Sequence, residues 1–267
     1  MNNARLRTAT VFAERSDIGG LGKFIDSMKT FSDVGIEVRT SRVAFDYREF
    51  SEGEISALSK DIENLGFWGF CLSFDDPQDE DQINFARSVI KSSDNGFVNF
   101  KVSKPQGSLD SNTISPSVNL IEDVSMENGG FDNFRVGFSF GLDQETPFFP
   151  YSSMQGRRGF AVGLEYVDLI KEVVFKHSRR SISAMKSEIN DRVCWWLDRV
   201  TEACIKIESE TDFDFIGVDI SLAPYPYPLE DQSVVDLIES IGNIGRSRGD
   251  VEYKFGMSGT MFAHTLL

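Results

Sequence analysis

The chain has 267 residues, of which 40% are hydrophobic and 26% charged, and its formal net charge is −15. This composition excludes wholesale disorder. The charge argues against a nucleic-acid or anionic-membrane surface, because such affinity rests on lysine and arginine neutralising phosphates.

No run approaches the roughly 18 consecutive apolar residues of a membrane-spanning helix. The N-terminal stretch MNNARLRTATVFAE lacks the apolar core and small-residue cleavage site of a signal peptide. Cys71, Cys194 and Cys204 form an odd set without CxxC spacing. They read as free thiols in a reducing compartment and as small buried hydrophobes, so a cytoplasmic location is expected.

In chain order, residues 8–14 (TATVFAE) give the first strand signal. A helix over 18–31 follows, with Leu21, Phe24, Ile25 and Met28 on one face. Residues 36–47 read as a strand. Ser51, with Glu54 three residues on, opens a helix whose apolar face is Ile55, Leu58, Ile62 and Leu65. The apolar run 68–74 (WGFCLSF) has the pattern of a strand buried on both faces. A helix over 79–92 buries Ile83, Ala86, Val89 and Ile90, and a strand follows over 97–102. Ser115 and Pro116 suit an N-cap followed by proline at the first helical position. Strands over 135–142 and 160–166 flank residues 143–159, which are too apolar for a solvated loop and read as an ordered segment lying over a strand end.

A short helix over 168–180 precedes the best helical pattern, 181–208. There Met185, Ile189, Val193, Trp196, Val200, Ala203 and Ile207 hold a period near 3.6. A strand over 213–221 and a helix over 231–241 complete the order, with a weaker strand signal at 251–255. Alternation of this kind implies a single α/β domain of largely parallel strands with helices packed outside, either a barrel or a doubly wound sheet.

In such folds ligands gather at the carboxyl ends of strands. Reading those ends gives Asp46, Tyr47 and Arg48; Asp75 and Asp76; Lys101 and Lys104; Asp143, Glu145 and Thr146; and Asp219 with Ser221. Asp219 and Ser221 are the candidate catalytic pair. Asp143, Glu145, Thr146, Tyr151, Lys104 and Arg48 are the candidate ligand-binding set. Carboxylates with an arginine and a lysine suit a divalent metal or a small polar substrate. The competing reading is that Asp, Ser and Thr at strand ends cap the next helix. Gly19-Gly20-Leu21-Gly22-Lys23 lies between a strand and a helix, but it matches neither phosphate-loop pattern and reads as a flexible turn. His177 and His264 are the two histidines; there is no HExxH, no zinc spacing and no GxSxG elbow.

Three segments carry a family likeness: Glu145-Thr146-Pro147-Phe148-Phe149-Pro150, the stretch 215–224 (FIGVDISLAP), and 256–263 (GMSGTMFA). Together with 231–239 (DQSVVDLIE) they resemble the domain-of-unknown-function family 711 (the UPF 0210 group), in particular its archaeal branch. The resemblance implies a fold similar to the glycyl-radical enzymes of the pyruvate formate-lyase type, a ten-stranded α/β barrel built from two parallel half-barrels. It implies no radical chemistry, since that needs an RVxGY-like glycine loop and a thiol on a loop inside the barrel. The final segment 256–267 reads as a helix start at which the chain stops, so the barrel is expected to be incomplete relative to longer members. Two functions follow as expectations. One is a small-molecule-binding or enzymatic barrel with its site at the strand ends. The other is a non-catalytic structural protein forming homo-oligomers.

Overall fold

The computed structural model describes residues 5–102, 111–126, 128–140, 147, 152–154, 156–176, 182–222, 234–244 and 252–257. Seven of its segments pair into one sheet: β1 (Arg5–Phe12), β2 (Ser41–Asp46), β3 (Gly69–Phe74), β4 (Gly96–Val102), β5 (Val136–Phe140), β6 (Gly159–Glu165) and β7 (Asp214–Asp219). The spatial order is β5-β4-β3-β2-β1-β6-β7, and the sheet curls into an open half-barrel.

Pairing within β1–β5 is parallel throughout, as the intervening helices require. β6 and β7 are parallel to each other, but β6 runs antiparallel to β1. β1, the first strand of the chain, is therefore an interior strand that joins the two parallel sets.

The helices are α1 (Leu21–Ser27), α2 (Lys29–Asp33), α3 (Ile55–Asn64), α4 (Glu80–Ser92), α5 (Ser111–Met126), α6 (Val167–Lys176), α7 (Ile182–Glu210) and α8 (Val234–Gly242). Their apolar stripes pack on one face of the sheet. Leu6, Ala9 and Val11 of β1, Val43 and Phe45 of β2, and Phe70, Leu72 and Phe74 of β3 meet Leu21, Phe24, Ile55, Leu58 and Ile83 in one continuous core. Phe24 ties the two halves together. Its ring lies 5.1 Å from Phe160 of β6 and 6.0 Å from Phe213, at the entry to β7, both edge-on, and it stacks at 6.5 Å on Phe67.

Several expectations need correction. Helix α5 begins at Ser111, so Pro116 lies inside the helix rather than at its first position. The glycine-rich stretch 18–23, expected as a flexible turn, is helical: it spans the end of a 3-10 helix over Arg15–Gly20, entered through a capping box between Glu14 and Asp17, and the start of α1. Residues 252–255 form no strand. The backbone of Tyr253 is occupied instead by the side chain of Asn243, which accepts from Tyr253 N–H at 2.7 Å and donates to its carbonyl at 3.2 Å. The Tyr253 ring lies so close over Gly242 that a Cβ there would come within 2.1 Å of it.

Cys71 and Cys204 are fully buried, but Cys194 is exposed on α7. Burial pushes both enclosed thiols far above their ordinary range. With an aromatic disulfide reagent, one thiol is expected to react in the native protein and three after unfolding. Rapid native reaction of two or more would show that the core opens at β3 or α7.

Candidate functional site

Side chains alternate across a strand, so residues not facing the helices line the concave face. They differ in chemistry from the apolar convex set. β1 presents Thr8, Thr10 and Phe12; β2 presents Arg42, Ala44 and Asp46; β3 presents Cys71 and Ser73; β4 presents Asn99 and Lys101; β5 presents Ser139. Among the described residues, an apolar nucleus of Phe12, Ala44, Ala161 and Met154, and Phe97 opposite Cys71, interrupt this polar lining.

The described residues Pro147, Ser152, Ser153 and Met154 of the linker between β5 and β6 lie over this face. The expectation placed the linker over a strand end; its described residues lie on the face of the sheet instead. Thr10 Oγ1 donates to Pro147 O at 2.8 Å, and Met154 N–H donates to Ser73 Oγ at 2.8 Å. Asn99 Nδ2 donates to Ser153 Oγ at 2.5 Å, and Ser139 Oγ to Asn99 Oδ1 at 3.0 Å. Cys71 Sγ lies 3.5 Å from Ser152 O. These buried hydrogen bonds explain why the sheet's inner wall is polar at β3–β5: the crossing backbone needs partners there.

Next to Pro147 the wall opens into a cavity of about 300 Å³ bounded by Ala161, Ile216, Val218 and Asp219. Asp219 stands opposite Gly163, which stands opposite Thr8, so its carboxylate belongs to the concave face. Asp219 Oδ1 accepts from Ser221 N–H at 2.7 Å. The Tyr166 hydroxyl donates to Ile220 O at 2.6 Å, and its acidity is weakened by burial and then by the charge of Asp219. Asp219 thus holds the turn leaving β7 and also faces a cavity.

Arg48 sits elsewhere. Its guanidinium binds Asp46 through Nε at 2.9 Å and a second nitrogen at 2.5 Å, and reaches Asp75 at 3.4 Å. Burial alone would raise the Asp46 carboxyl, but its hydrogen bonds from Arg48 prevail and hold it below the usual carboxylate range. Because β6 and β7 run against β1–β5, Asp219 and Arg48 lie on opposite rims. Asp219 is level with Thr8, whereas Asp46 lies two residues beyond the Phe12–Ala44 pair, a difference of about 20 Å along the strands. The expectation that all the strand ends share one rim is overturned by this antiparallel join. Lys104, Asp143, Glu145, Thr146 and Tyr151 lie outside the described residues.

The rim carrying Asp219 also holds a set that strand-end reasoning passed over. Arg5 Nε meets Glu165 Oε1 at 2.7 Å and another Arg5 nitrogen meets Asp168 at 3.3 Å; Arg39 reaches Glu165 at 3.3 Å. Arg7 occupies a bulge between Leu6 and Thr8 and borders a small recess with Glu165, Tyr166 and Ser221. Arg42 lies over the Trp68 ring at 4.6 Å. Burial, and then the nearness of Arg7, pushes the Arg42 guanidinium down to about 9. The signal was present in Arg5-Leu6-Arg7, arginines alternating at the start of a strand, but it points to strand beginnings rather than ends.

The model of the family of uncharacterised proteins DUF711 matches residues 21–267. The chain belongs to the DUF711 family. A comparison with curated proteins finds no match. Membership extends the sequence resemblance, which rested on segments between 145 and 263, over nearly the whole chain. Among the described residues of this DUF711 protein, no group of three or more His, Cys, Asp and Glu side chains is placed to hold a metal ion, and no helix is long and apolar enough to cross a membrane. Cys71 is four strands away from Asp219 across the sheet.

Proposed function

We propose that this DUF711 protein is a small-molecule-binding or enzymatic α/β barrel, of the archaeal type and cytoplasmic, whose polar site lies on the concave face at Asp219. One observation carries the reading: an ionisable group on a largely polar inner wall borders a cavity large enough for a metabolite-sized molecule. Asp219 serves there as acid, base or metal ligand, with Ser221 beside it. The barrel itself is of the pyruvate formate-lyase type. Supporting this are five parallel strands forming one half and an antiparallel join that starts a second parallel set. Radical chemistry is not part of the proposal. The described segment crossing the inner wall presents Ser152, Ser153 and Met154, and the nearby thiol of Cys71 is buried beneath it.

The test is Asp219→Asn, examined by thermal shift against metabolite fractions, with and without added magnesium or manganese. The variant is expected to melt within about 2 °C of the parent, as a surface substitution would, while losing the ligand- or metal-induced shift. A large loss of melting temperature with the induced shift intact would leave Asp219 as a capping residue only.

A second reading, a homo-oligomer of structural role, is favoured by the apolar surface beside the open edge of β5. There Met126 is 87%, Phe131 76% and Phe134 56% exposed. Light scattering that shows a dimer whose association is abolished by Phe131→Ser, with no ligand found, would favour it.

A further inference from the structure

We infer that the cavity beside Asp219 takes an organic cation, a protonated amine carried on an apolar body. This rests on the site proposed above and names the chemical class of its ligand.

Between β6 and β7 the concave wall is small and apolar. Gly159, Ala161 and Gly163 of β6 stand opposite Phe12, Thr10 and Thr8 of β1, and Ile216 packs against the nucleus formed by Phe12, Ala44, Met154 and Ala161. A Cβ at Gly217, which also borders the cavity, would meet no atom within 4 Å, so room remains at the wall. Of the described residues around this space of about 300 Å³, Pro147, Ala161, Ile216, Val218 and Ile220 are apolar and Asp219 alone is ionisable. A body of hydrocarbon fits such walls, and the one charged group sets the sign of its head.

Asp219 has capacity for that head. Its Oδ1 accepts from Ser221 N–H at 2.7 Å; among the described residues its other oxygen accepts no hydrogen bond, and no lysine or arginine pairs with it. Arg5 and Arg39, on the same rim, are directed to Glu165 and Asp168 instead. A half-buried carboxylate against apolar walls attracts a cation more strongly than it would in bulk water. The surrounding sequence adds charge of the same sign. Stretches 136–156 and 207–245, which supply Pro147 and the β7 side of the cavity, carry two and nine carboxylates and no lysine, arginine or histidine. A cleft of one sign with low-dielectric walls concentrates ions of the opposite sign. A divalent metal asks for roughly six or more oxygen ligands, whereas the described wall offers one carboxylate among apolar groups. An alkylammonium uses both the carboxylate and the wall.

The experiment is isothermal titration of the full chain with butylammonium chloride and, as its counterpart of opposite charge, sodium butyrate, at constant ionic strength. Butylammonium is expected to bind and butyrate is not. From ethylammonium to hexylammonium the affinity should rise roughly threefold to fourfold per methylene, as burial of an alkyl body predicts. It should fall roughly tenfold or more in Asp219→Asn, as loss of a charged partner predicts. Asp219→Glu is expected to keep part of the affinity, which separates loss of charge from loss of fold. Asp214→Asn, which removes the same charge at the far end of β7, is expected to bind like the parent. No binding of any alkylammonium, equal binding of butyrate and butylammonium, or parent affinity in Asp219→Asn overturns the inference. A magnesium- or manganese-induced shift lost in Asp219→Asn, with no alkylammonium bound, would keep the site at Asp219 and overturn its ligand class alone.

Discussion

Replacing Phe24 with alanine is expected to destabilise the protein by about 3–5 kcal/mol, the range for truncating a fully enclosed phenylalanine. Phe24 has no exposed surface, and its ring contacts reach three separate parts of the chain: Phe67 before β3, Phe160 in β6 and Phe213 before β7. The edge-on contacts with Phe160 and Phe213 each add to simple burial. Three walls from different elements cannot all move inward to fill one vacancy, so the cavity remains and the cost stays near the top of the range. Urea unfolding should show a lower midpoint with an unchanged slope. A loss below about 1.5 kcal/mol would mean that α1 settles into the gap and that the two parts of the sheet are less firmly joined than the rings imply.

A comparable loss, about 3–5 kcal/mol, is expected for Arg135→Met, because the substitution strips the donor from a set of buried acceptors. Arg135 is 4% exposed. Its Nε donates to Gly96 O at 2.9 Å, one terminal nitrogen to Ile90 O at 3.2 Å and to Asp132 Oδ1 at 3.0 Å, and the other to Ser93 O. Two of those carbonyls come from the last turns of α4 and its exit, where helical partners run out and the dipole favours a cation. One side chain thus ends a helix, starts a strand and neutralises a partly buried carboxylate. Methionine fills much of the volume and satisfies none of the acceptors. Lysine should recover only part of the loss, because a single ammonium cannot reproduce the fork. A melting temperature for Arg135→Met within about 2 °C of the parent would show that water replaces the guanidinium freely.

What could be read from the residues alone follows from periodicity. The stripe Ile83, Ala86, Val89, Ile90 and the run from Met185 to Ile207 face the core as their spacing demands. Of the continuous apolar run 68–74, residues 69–74 are buried along their full length, whereas Trp68 at its start is exposed. Strand direction is another matter. A side-chain pattern of period two is the same in parallel and antiparallel pairs, so nothing within 159–165 says that it runs against β1. That orientation decides which strand ends meet, and it separates Asp219 from Arg48 while bringing Asp219 to the rim of Arg7 and Arg42. The polar inner wall was equally hidden: Thr10, Ser73 and Asn99 look like the solvent side of half-buried strands until Pro147, Ser153 and Met154 are seen to lie over them.

The place of β1 between the two parallel sets bears on how the molecule is assembled. Strands β2 to β5 can be added one after another as the chain lengthens, each beside its predecessor in sequence. The other flank has to wait: joining Arg5 to Glu165 closes a loop of some 160 residues, a slow entropic step in any chain. Until then β1 has one unprotected margin, and a newborn chain is most exposed to adhesion with its neighbours during that interval.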